Sequence, residues 1–203
     1  MPYRFEALTP GTWPAFEQLA AKHNGVWGGC WCTWFHRVPG QKDRGVPPQL
    51  REEAEGAELT RRWKEQLVGT GHAHAALVFD GDAAIAWCQY GTPVELPNIY
   101  HRKEYESGLT DPAPPYRITC FFVDRDHRRR GVAEAALQAA LGLIAADGGG
   151  TVDSFPNDTQ GKRTSSSFLH NGTRTMFERA GFDYLRPLGM KKCLMRREVT
   201  AAG

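Results

Sequence analysis

The chain lacks a long apolar run, a dominant charge and a cysteine pattern typical of a disulfide scaffold. No stretch approaches the roughly 20 apolar residues that a membrane helix needs. The start, MPYRFEALTP, has neither the basic nor the apolar region of a signal peptide. Lys plus Arg number 25 and Asp plus Glu 23, so the net charge of +2 gives no basic field for nucleic acid or anionic lipid. We therefore expect a soluble, cytoplasmic protein that binds neither nucleic acid nor membrane.

The cysteine count and the length indicate one reduced domain. Five cysteines, an odd number, lie in aromatic or strand-like segments, which is typical of free thiols in a reducing compartment. The 203 residues, 41% hydrophobic, suffice for a core without covalent support. We see no internal repeat. We expect a single domain over 1–203, with an N-terminal part at 1–70, a central sheet at 71–155 and a C-terminal part at 156–203.

Hydrophobic periodicity predicts a chain of alternating strands and helices. The predicted strands are 3–8, 74–79, 83–90, 116–123, 151–155, 182–185 and 190–199, and the predicted helices are 13–22, 49–68, 131–146 and 168–180. Residues 24–48, rich in Gly, Pro, Trp and Cys, are predicted to form a long loop. The proline-rich stretch 92–115, with a short helix at 98–106, is predicted to form a wall of the substrate site. The strand, helix, strand order at 116–155 favours a right-handed crossover between parallel strands.

Residues 121–141, FFVDRDHRRRGVAEAALQAAL, read as an apolar strand, a polar turn with three arginines and a glycine, and a helix. The unpaired N–H groups and the dipole of a helix N-terminus favour an anion. Gly131 lets an anion approach the main chain, while Arg128 to Arg130 add fork-shaped donors. A solvated basic run is the common alternative, but the flanking strand and helix favour a pyrophosphate seat. The turn therefore indicates an acyl-CoA user.

The stretch VDRDHRRRGVA resembles the acetyl-CoA-binding signature of the GNAT acetyltransferase superfamily, with Arg128, Gly131 and Ala133 in its three fixed positions. MFERAGF at 176–182 resembles the last-helix motif of that superfamily. GGCWCTWFHR and SFPNDTQGKRTSSSF resemble segments of a poorly characterised bacterial branch. The resemblance implies the GNAT fold, an α/β structure whose central, mostly antiparallel mixed sheet splays between strands 4 and 5 and is flanked by helices.

The resemblance also implies the reaction and the cofactor site. It implies direct transfer of acetyl from acetyl-CoA, the cosubstrate, to an amine, which we take to be a small molecule rather than a protein; a homodimer is expected on the same ground. The residues assigned to the cofactor are Phe121, Phe122, Val123, Arg128, Arg129, Arg130, Gly131, Val132, Ala133, Asn157, Asn171 and Phe177. The two asparagines could instead be turn and cap residues, and Phe177 ordinary core behind the pantetheine wall.

The chain departs from better-known branches at the catalytic positions. Arg117 and Thr119 stand where those branches carry a glutamate or histidines that act as base, and Phe177 stands where many carry a tyrosine that protonates the leaving thiolate. Those roles are vacant or filled elsewhere. The remaining candidates for base or proton relay are Asp153, His170, Glu95 and Tyr90.

Aromatic residues and cysteines of the long loop give two further hypotheses. Trp27, Trp31, Trp34 and Phe35 could line an acceptor pocket, with core packing as the equal competitor, and the candidate substrate-binding residues are Trp31, Trp34, Tyr90 and Glu95. Cys30, Cys32 and His36 could supply three zinc ligands, but the fourth is not evident and we predict no metal. Cys120 is either a redox-sensitive or acyl-accepting thiol or, more commonly for a strand cysteine, a small buried hydrophobe.

Three alternatives to an N-acetyltransferase stay open. A non-catalytic acyl-CoA-binding sensor would bind the cofactor tightly without releasing thiol to any amine. A GNAT-fold toxin that acts on aminoacyl-tRNA would need a basic face wider than the three arginines. A metal-dependent enzyme built on the Cys-Trp-Cys segment would contain bound zinc.

Overall fold

The computed structural model describes residues 3–109, 113–159 and 169–203. Its elements, in chain order, are β1 (Arg4–Ala7), α1 (Trp13–Lys22), α2 (Pro48–Glu53), α3 (Gly56–Gly69), β2 (His74–Asp80), β3 (Ala83–Gly91), α4 (Arg102–Glu106), β4 (Tyr116–Val123), α5 (Val132–Ala146), β5 (Gly150–Ser154), α6 (Arg174–Arg179), β6 (Asp183–Leu188) and β7 (Lys192–Val199), with single 3-10 turns at Trp34–His36 and Arg125–His127. Within the described ranges no helix is long and apolar enough to span a bilayer.

The seven strands form one sheet in the order β1-β2-β3-β4-β5-β7-β6. β4 and β5 are parallel, and every other neighbouring pair is antiparallel. The parallel pair is joined through α5, as the strand, helix, strand order predicts. The predicted fold class, a mostly antiparallel mixed sheet flanked by helices, is confirmed.

The helices α1 and α5 cover opposite faces of the sheet, and each buries apolar side chains against it. The predicted inner face of α1, which includes Trp13 and Phe16, is buried, and the Phe16 ring lies 4.6 Å from that of Trp87 on β3. On the opposite face, α5 packs small residues such as Ala136 and Ala140 against the sheet. Small side chains let the helix lie close to the strands, so the turn before α5 is held firmly against the end of β4.

The two parallel strands separate after three paired residues. Only Tyr116–Ile118 of β4 pairs with Val152–Ser154 of β5. Beyond that point a loop takes the place of β5: Asn171 Nδ2 donates to the carbonyl of Thr119 at 2.6 Å, and the Phe121 N–H donates to the carbonyl of His170 at 2.6 Å. The predicted splay between strands 4 and 5 is therefore present, and it opens beside the C-terminal half of β4.

Two predicted helices differ from the observed ones. The predicted helix at 49–68 is two helices, because Ala54 and Glu55 are extended and Gly56, with φ of +57°, allows a new start. The predicted helix at 168–180 begins only at Arg174; Phe168 lies outside the described residues. Thr173 accepts a hydrogen bond from the Met176 N–H and so caps that helix. Just before it, Gly172 has φ of +75°, and a Cβ there would lie 2.5 Å from Met176 Cε.

Candidate active site

Two cavities meet beside the splayed half of β4. The first, which we call the turn cavity, has a volume of about 620 Å³ and lies along the arginine turn. The second, the aromatic cavity, has a volume of about 1240 Å³ and lies between the long loop, α3 and Tyr100. Trp27 and His170 belong to the walls of both. The two cavities are therefore adjacent at these two residues.

Most of the predicted cofactor residues line the turn cavity. They are Phe121, Phe122, Val123, Arg128, Arg129, Gly131, Val132 and Ala133. Arg130 is exposed and does not line it, although it lies between two residues that do. Among the described residues of this wall the only carboxylate is Glu134, which is paired with Arg179 at 3.0 Å. The wall therefore has a net positive charge.

The backbone of the turn is suited to an anion. Arg129 and Gly131 have φ of +63° and +74°, a pattern of left-handed residues typical of concave anion-binding turns. Because Gly131 is the N-cap of α5 and has no side chain, no cap occupies the first-turn N–H groups. Lys22 on α1 fixes the start of the turn through Asp124 at 2.6 Å and Asp126 at 2.9 Å. The turn is thus built before any ligand arrives.

The open edge of β4 offers main-chain groups at its odd-numbered positions. The Asp124 N–H donates to the Ile85 carbonyl at 2.8 Å, so even-numbered residues face β3 and odd-numbered ones face the gap. The Phe121 N–H is already donated to His170. Among the described residues, the Val123 N–H at this edge has no main-chain partner and the Phe121 carbonyl accepts only a weak contact from Cys120 Sγ at 3.9 Å, so both could bind a pantetheine arm.

Asn157, Asn171 and Phe177 stand behind the turn cavity and do not line it. Besides its bond to Thr119, Asn171 accepts a hydrogen bond from Lys192 Nζ at 2.8 Å, and Asn157 Nδ2 donates to the Gly172 carbonyl at 3.3 Å. Phe177 is fully buried and meets the Phe121 ring edge-on, with centroids 5.9 Å apart. These residues fix the loop and the wall, which are supporting roles.

The aromatic cavity takes its walls from the long loop and from the proline-rich stretch. Trp27, Trp34, Phe35 and Tyr100 line it, and the Trp34 and Tyr100 rings stack with centroids 4.5 Å apart. Trp31, a predicted substrate residue, lines neither cavity: it is buried and stacks on Trp13 at 6.4 Å. Trp31 therefore packs in the core, whereas Trp27, Trp34 and Phe35 line the cavity.

Trp27 is held at the junction by an unusual main chain. Six consecutive residues, 24–29, have positive φ, including Val26 at +48° and Trp27 at +46°. Such angles cost a non-glycine residue roughly 1–2 kcal/mol, and more for a β-branched one. The Trp27 ring contacts the rings of Phe122 at 6.1 Å and His170 at 5.6 Å. The strained turn thus presents this indole where the two cavities meet.

Of the four catalytic candidates, the structure places only His170 at the junction. Its Nε2 lies 3.1 Å from Tyr100 Oη. Glu95 and Tyr90 line a separate cavity of about 440 Å³ together with His74, whose Nε2 lies 3.1 Å from Glu95 Oε1. These two candidates are also predicted substrate residues, and they line neither the turn cavity nor the aromatic cavity.

The fourth candidate, Asp153, is a structural ion. It is fully buried on β5, where Arg196 Nε and Nη2 donate to its oxygens at 2.7 and 3.0 Å and Tyr105 Oη donates at 2.8 Å. It lines neither of the two joined cavities. Because Asp153 is buried, hydrogen-bonded to Arg196 and Tyr105 and outside both cavities, it is not placed to contact a substrate in either of them.

Sequence reasoning missed a buried polar network behind the aromatic cavity, formed by residues next in the chain to the wall residues Phe35 and Trp63. Lys64 is fully buried, and its Nζ lies 3.1 Å from His36 Nε2. His36 Nδ1 lies 2.9 Å from the Glu95 carbonyl, which can only accept, so Nδ1 carries the proton and Nε2 accepts. The sequence does contain one signal that Lys64 is buried. It lies four residues before the buried Val68 and therefore on the same face of α3. In the described ranges, no group of three or more His, Cys, Asp or Glu residues could hold a metal ion.

Lys64 gives a pH-dependent prediction. Burial lowers its pKa from 10.5 to about 8. Between these values the unfolded chain binds more protons than the folded one, so stability rises with pH across pH 8 to 10.5. Replacing Lys64 by Met is expected to stabilise the protein by about 2 kcal/mol at pH 7 and to reduce this rise. Urea unfolding at pH 7 and pH 10 measures both quantities.

A second buried lysine, Lys192, should contribute to the same rise in stability with pH. Burial lowers the pKa of Lys192 as well, to about 8, so some of the rise is expected to persist in the Lys64→Met variant. A variant less stable than the parent at pH 7 would show that the ammonium group is a net stabilising contact.

Comparison with solved structures identifies the fold as that of an acetyltransferase class. The histone acetyltransferase HPA2 and related acetyltransferase of Corynebacterium glutamicum aligns over 100% of this chain and 98% of its own, with a TM-score of 0.54 and 13% identity. A Desulfovibrio desulfuricans protein assigned to the GNAT acetyltransferase family aligns over 98% and 100%, with a TM-score of 0.51 and 16% identity. No family model and no curated protein sequence matches the chain.

A third similar structure contains the cofactor. The ribosomal L7/L12 α-N-protein acetyltransferase RimL, in complex with coenzyme A, aligns over 98% of this chain and 96% of its own, with a TM-score of 0.51 and 14% identity. At such identities the comparison establishes the fold. The chain has the GNAT fold, and the resemblance that its sequence indicates is confirmed at that level.

Proposed function

We propose that the protein is an acetyl-CoA-dependent N-acetyltransferase that acts on a small-molecule amine by direct transfer. The observation that carries the proposal is the meeting of the two cavities at Trp27 and His170, with the arginine turn in the wall of one and aromatic rings in the wall of the other. The coenzyme A bound in RimL supports an acyl-CoA in the turn cavity. The whole chain, 1–203, would then be one N-acetyltransferase domain, and a homodimer remains a prediction.

The arginine turn would hold the pyrophosphate. Arg129 and the N–H groups at the start of α5 surround that end of the turn cavity. The pantetheine arm would run along the open edge of β4, where the Phe121 carbonyl and the Val123 N–H face the gap. Phe177 behind Phe121 keeps this wall fixed. The thioester would then reach the junction, where it meets the acceptor.

His170 would act as the base. An alkyl amine has a pKa near 10.4, so its deprotonation at pH 7 costs about 4.6 kcal/mol, which a base must help to offset. The hydrogen bond between His170 and Tyr100 would orient the imidazole, with Nε2–H as donor and Tyr100 Oη as acceptor, so that the hydroxyl keeps its own proton for the leaving group. Burial raises the pKa of Tyr100, so its hydroxyl stays protonated and can donate to the departing coenzyme A thiolate. Tyr100 would thus take the role that Phe177 leaves vacant.

The aromatic cavity supports a small-molecule acceptor. Its volume of about 1240 Å³ exceeds that of a typical drug-sized pocket, and its walls contain the three indole rings of Trp27, Trp34 and Trp63. An amine with an apolar body would be buried there by contact with aromatic faces.

The test combines cofactor binding with turnover. We expect acetyl-CoA at about 100 times its Kd to stabilise the protein by about 2.7 kcal/mol, seen as a rise in Tm. A panel of aryl and alkyl amines is then screened for thiol release and for a mass gain of one acetyl group on the amine. A rise in Tm without thiol release from any amine would identify a non-catalytic acyl-CoA sensor. No rise with any acyl-CoA, in folded protein free of copurified ligand, would refute the proposal.

A further inference from the structure

The rim of the aromatic cavity is strongly cationic. Arg37, Lys42, Arg44 and Arg51 line it, and the only carboxylate among its described residues is Asp43. Asp43 is already engaged, since it accepts a hydrogen bond from the Gly45 N–H at 3.1 Å and lies 3.7 Å from Arg51. The whole chain has a net charge of only +2, so this concentration of positive charge is local.

Three of these cations have no acidic partner. Arg37, Lys42 and Arg44 form no ion pair with any residue in the described part of the chain. Surface arginines of this protein are otherwise often paired, as Arg61, Arg62 and Arg174 are. Unpaired cations around a concave, partly desolvated wall attract an anion more strongly than cations on an open surface.

The rim is also ordered by its own main chain. The Val38 N–H donates to the Arg44 carbonyl at 2.9 Å, and the Arg44 N–H donates to the Gln41 carbonyl at 3.1 Å. Arg44 has φ of +59°, an uncommon angle for a non-glycine residue. The start of α3, at Gly56 and Ala57, lies in the same wall and adds the positive end of a helix dipole. The cations are therefore held at the rim.

We propose that the acceptor is an amine that carries an anionic group, a carboxylate or a phosphate, on an apolar or aromatic body. This inference rests on the proposed function and names its substrate class. The amine would lie at His170, the body against the wall that Trp34 and Tyr100 form, and the anionic group at the rim beside Arg37 and Arg44. Fork-shaped guanidinium groups match both anions.

Matched amines test the inference. Tryptophan is compared with tryptamine, 4-(aminomethyl)benzoate with 4-methylbenzylamine, and O-phosphotyramine with tyramine. The first two pairs place a carboxylate near the amine or far from it, and the third replaces carboxylate by phosphate. In at least one pair, we expect the anionic amine to have a kcat/KM at least tenfold higher than that of its neutral counterpart. The same anionic amine should have a Kd at least tenfold lower than that of its neutral counterpart, as measured by indole fluorescence.

Variants of the rim residues test the preference for anionic amines separately from acetyl-CoA binding and thiol release. The double variant Arg37→Gln, Arg44→Gln is expected to reduce the preference to below threefold while acetyl-CoA binding is unchanged. The control Arg102→Gln, on α4 and outside both cavities, should retain the preference. Equal binding of both members of every pair, or a preference for the neutral ones, would overturn the inference. Failure of the proposed function would appear separately, as absent acetyl-CoA binding or absent thiol release with every amine.

The cysteines at the cavity floor carry a second, independent inference. Cys32 Sγ and Cys120 Sγ lie 3.2 Å apart although 88 residues separate them in the chain. Trp87 Nε1 donates to Cys32 Sγ at 3.1 Å. Both cysteines line the aromatic cavity, through which a small oxidant can reach them. Burial opposes the thiolate of Cys32, but hydrogen bonds from Cys120 and Trp87 and the charge of Lys64 lower its pKa.

We propose that Cys32 and Cys120 form an oxidative modification site that a peroxide converts to a disulfide. The Cys32 thiol attacks one peroxide oxygen, the O–O bond breaks, and a sulfenic acid and one water form. The Cys120 thiol then attacks the sulfenic sulfur and releases a second water. Two thiols lose two electrons in total, and hydrogen peroxide is reduced to two waters.

Mass spectrometry tests this site. Hydrogen peroxide is expected to lower the mass by about two units, with Cys32 and Cys120 linked in one peptide pair, and a thiol reductant should reverse the change. Cys32→Ser and Cys120→Ser should each abolish the link, whereas Cys88→Ser and Cys193→Ser should retain it. Oxidation that only adds oxygen to the half-buried Cys30, or a link that persists without Cys32, would overturn the proposal.

Discussion

Replacing Arg129 by Glu is expected to weaken acetyl-CoA binding by about 30- to 100-fold, or roughly 2–3 kcal/mol. Arg129 lines the turn cavity and has a left-handed backbone next to the start of α5. The substitution removes a cation and adds an anion beside the proposed pyrophosphate site, so attraction becomes repulsion. Calorimetric titration with acetyl-CoA measures the change, and raised salt should reduce the difference.

The neighbouring arginine supplies the control. Arg130 makes the same contribution to net charge but does not line the cavity. The Arg130→Glu variant is therefore expected to bind acetyl-CoA within about fivefold of the parent, an effect of screened long-range charge alone. If both variants lost affinity equally, the turn would act as a diffuse basic surface, and the specific seat for pyrophosphate would be ruled out.

Replacing His170 by Ala is expected to lower kcat by at least about 100-fold, the usual contribution of a positioned base. The hydrogen bond from the Phe121 N–H goes to the His170 main chain, which the substitution retains. Acetyl-CoA affinity should therefore stay within threefold of that of the parent. Rates measured with a saturating amine across pH 6 to 9 would show whether the lost step is a proton transfer, because a higher pH partly replaces a missing base.

Three further variants test whether the loss of kcat is confined to His170 and its hydrogen-bond partner. Tyr100→Phe is expected to lower kcat by about tenfold, because it removes the hydroxyl that contacts His170 Nε2. Glu95→Gln and Tyr90→Phe, in the separate cavity, should leave kcat within twofold. A His170→Ala variant that keeps more than half of the parent's kcat would exclude His170 as the base.

The sequence predicts the sheet and the turn well because their signals are local. The strand at 116–123 has apolar residues at alternate positions and ends in the apolar run 120–123, and β4 has those bounds in the structure. The helix after the arginine turn ends where three glycines follow Asp147, as the pattern indicates. Eight of the predicted cofactor residues then line one cavity. The prediction of the cofactor residues succeeds because the arginine turn lies between a strand and a helix that the sequence predicts clearly.

The catalytic residues could not be separated by sequence because their environments depend on distant partners. Asp153 is a reasonable candidate on a strand near the cofactor, but its ion-pair partner Arg196 lies 43 residues away in the chain. Glu95 and His74 likewise meet across 21 residues. His170 is set apart from these by its place in the walls of both cavities and by contacts such as those with Tyr100 and Trp27, which require the folded loop.

The left-handed backbone conformation of 24–29 could not be predicted from the sequence, for a different reason. Its three glycines permit positive φ, but Val26 and Trp27 oppose it. Tertiary contacts decide the conformation: Val26 is buried in the core and Trp27 packs on Phe122. Packing thus outweighs the local preference at the point where the two cavities meet.

A crystal structure with a non-hydrolysable acetyl-CoA analogue is the most direct measurement of the proposed site. We expect the pyrophosphate on the main chain of 129–133, the pantetheine arm along Phe121 to Val123, and the thioester beside Trp27 and His170. An analogue bound with its pyrophosphate away from the arginine turn, or with its acyl end away from His170, would contradict the assignment of both cavities.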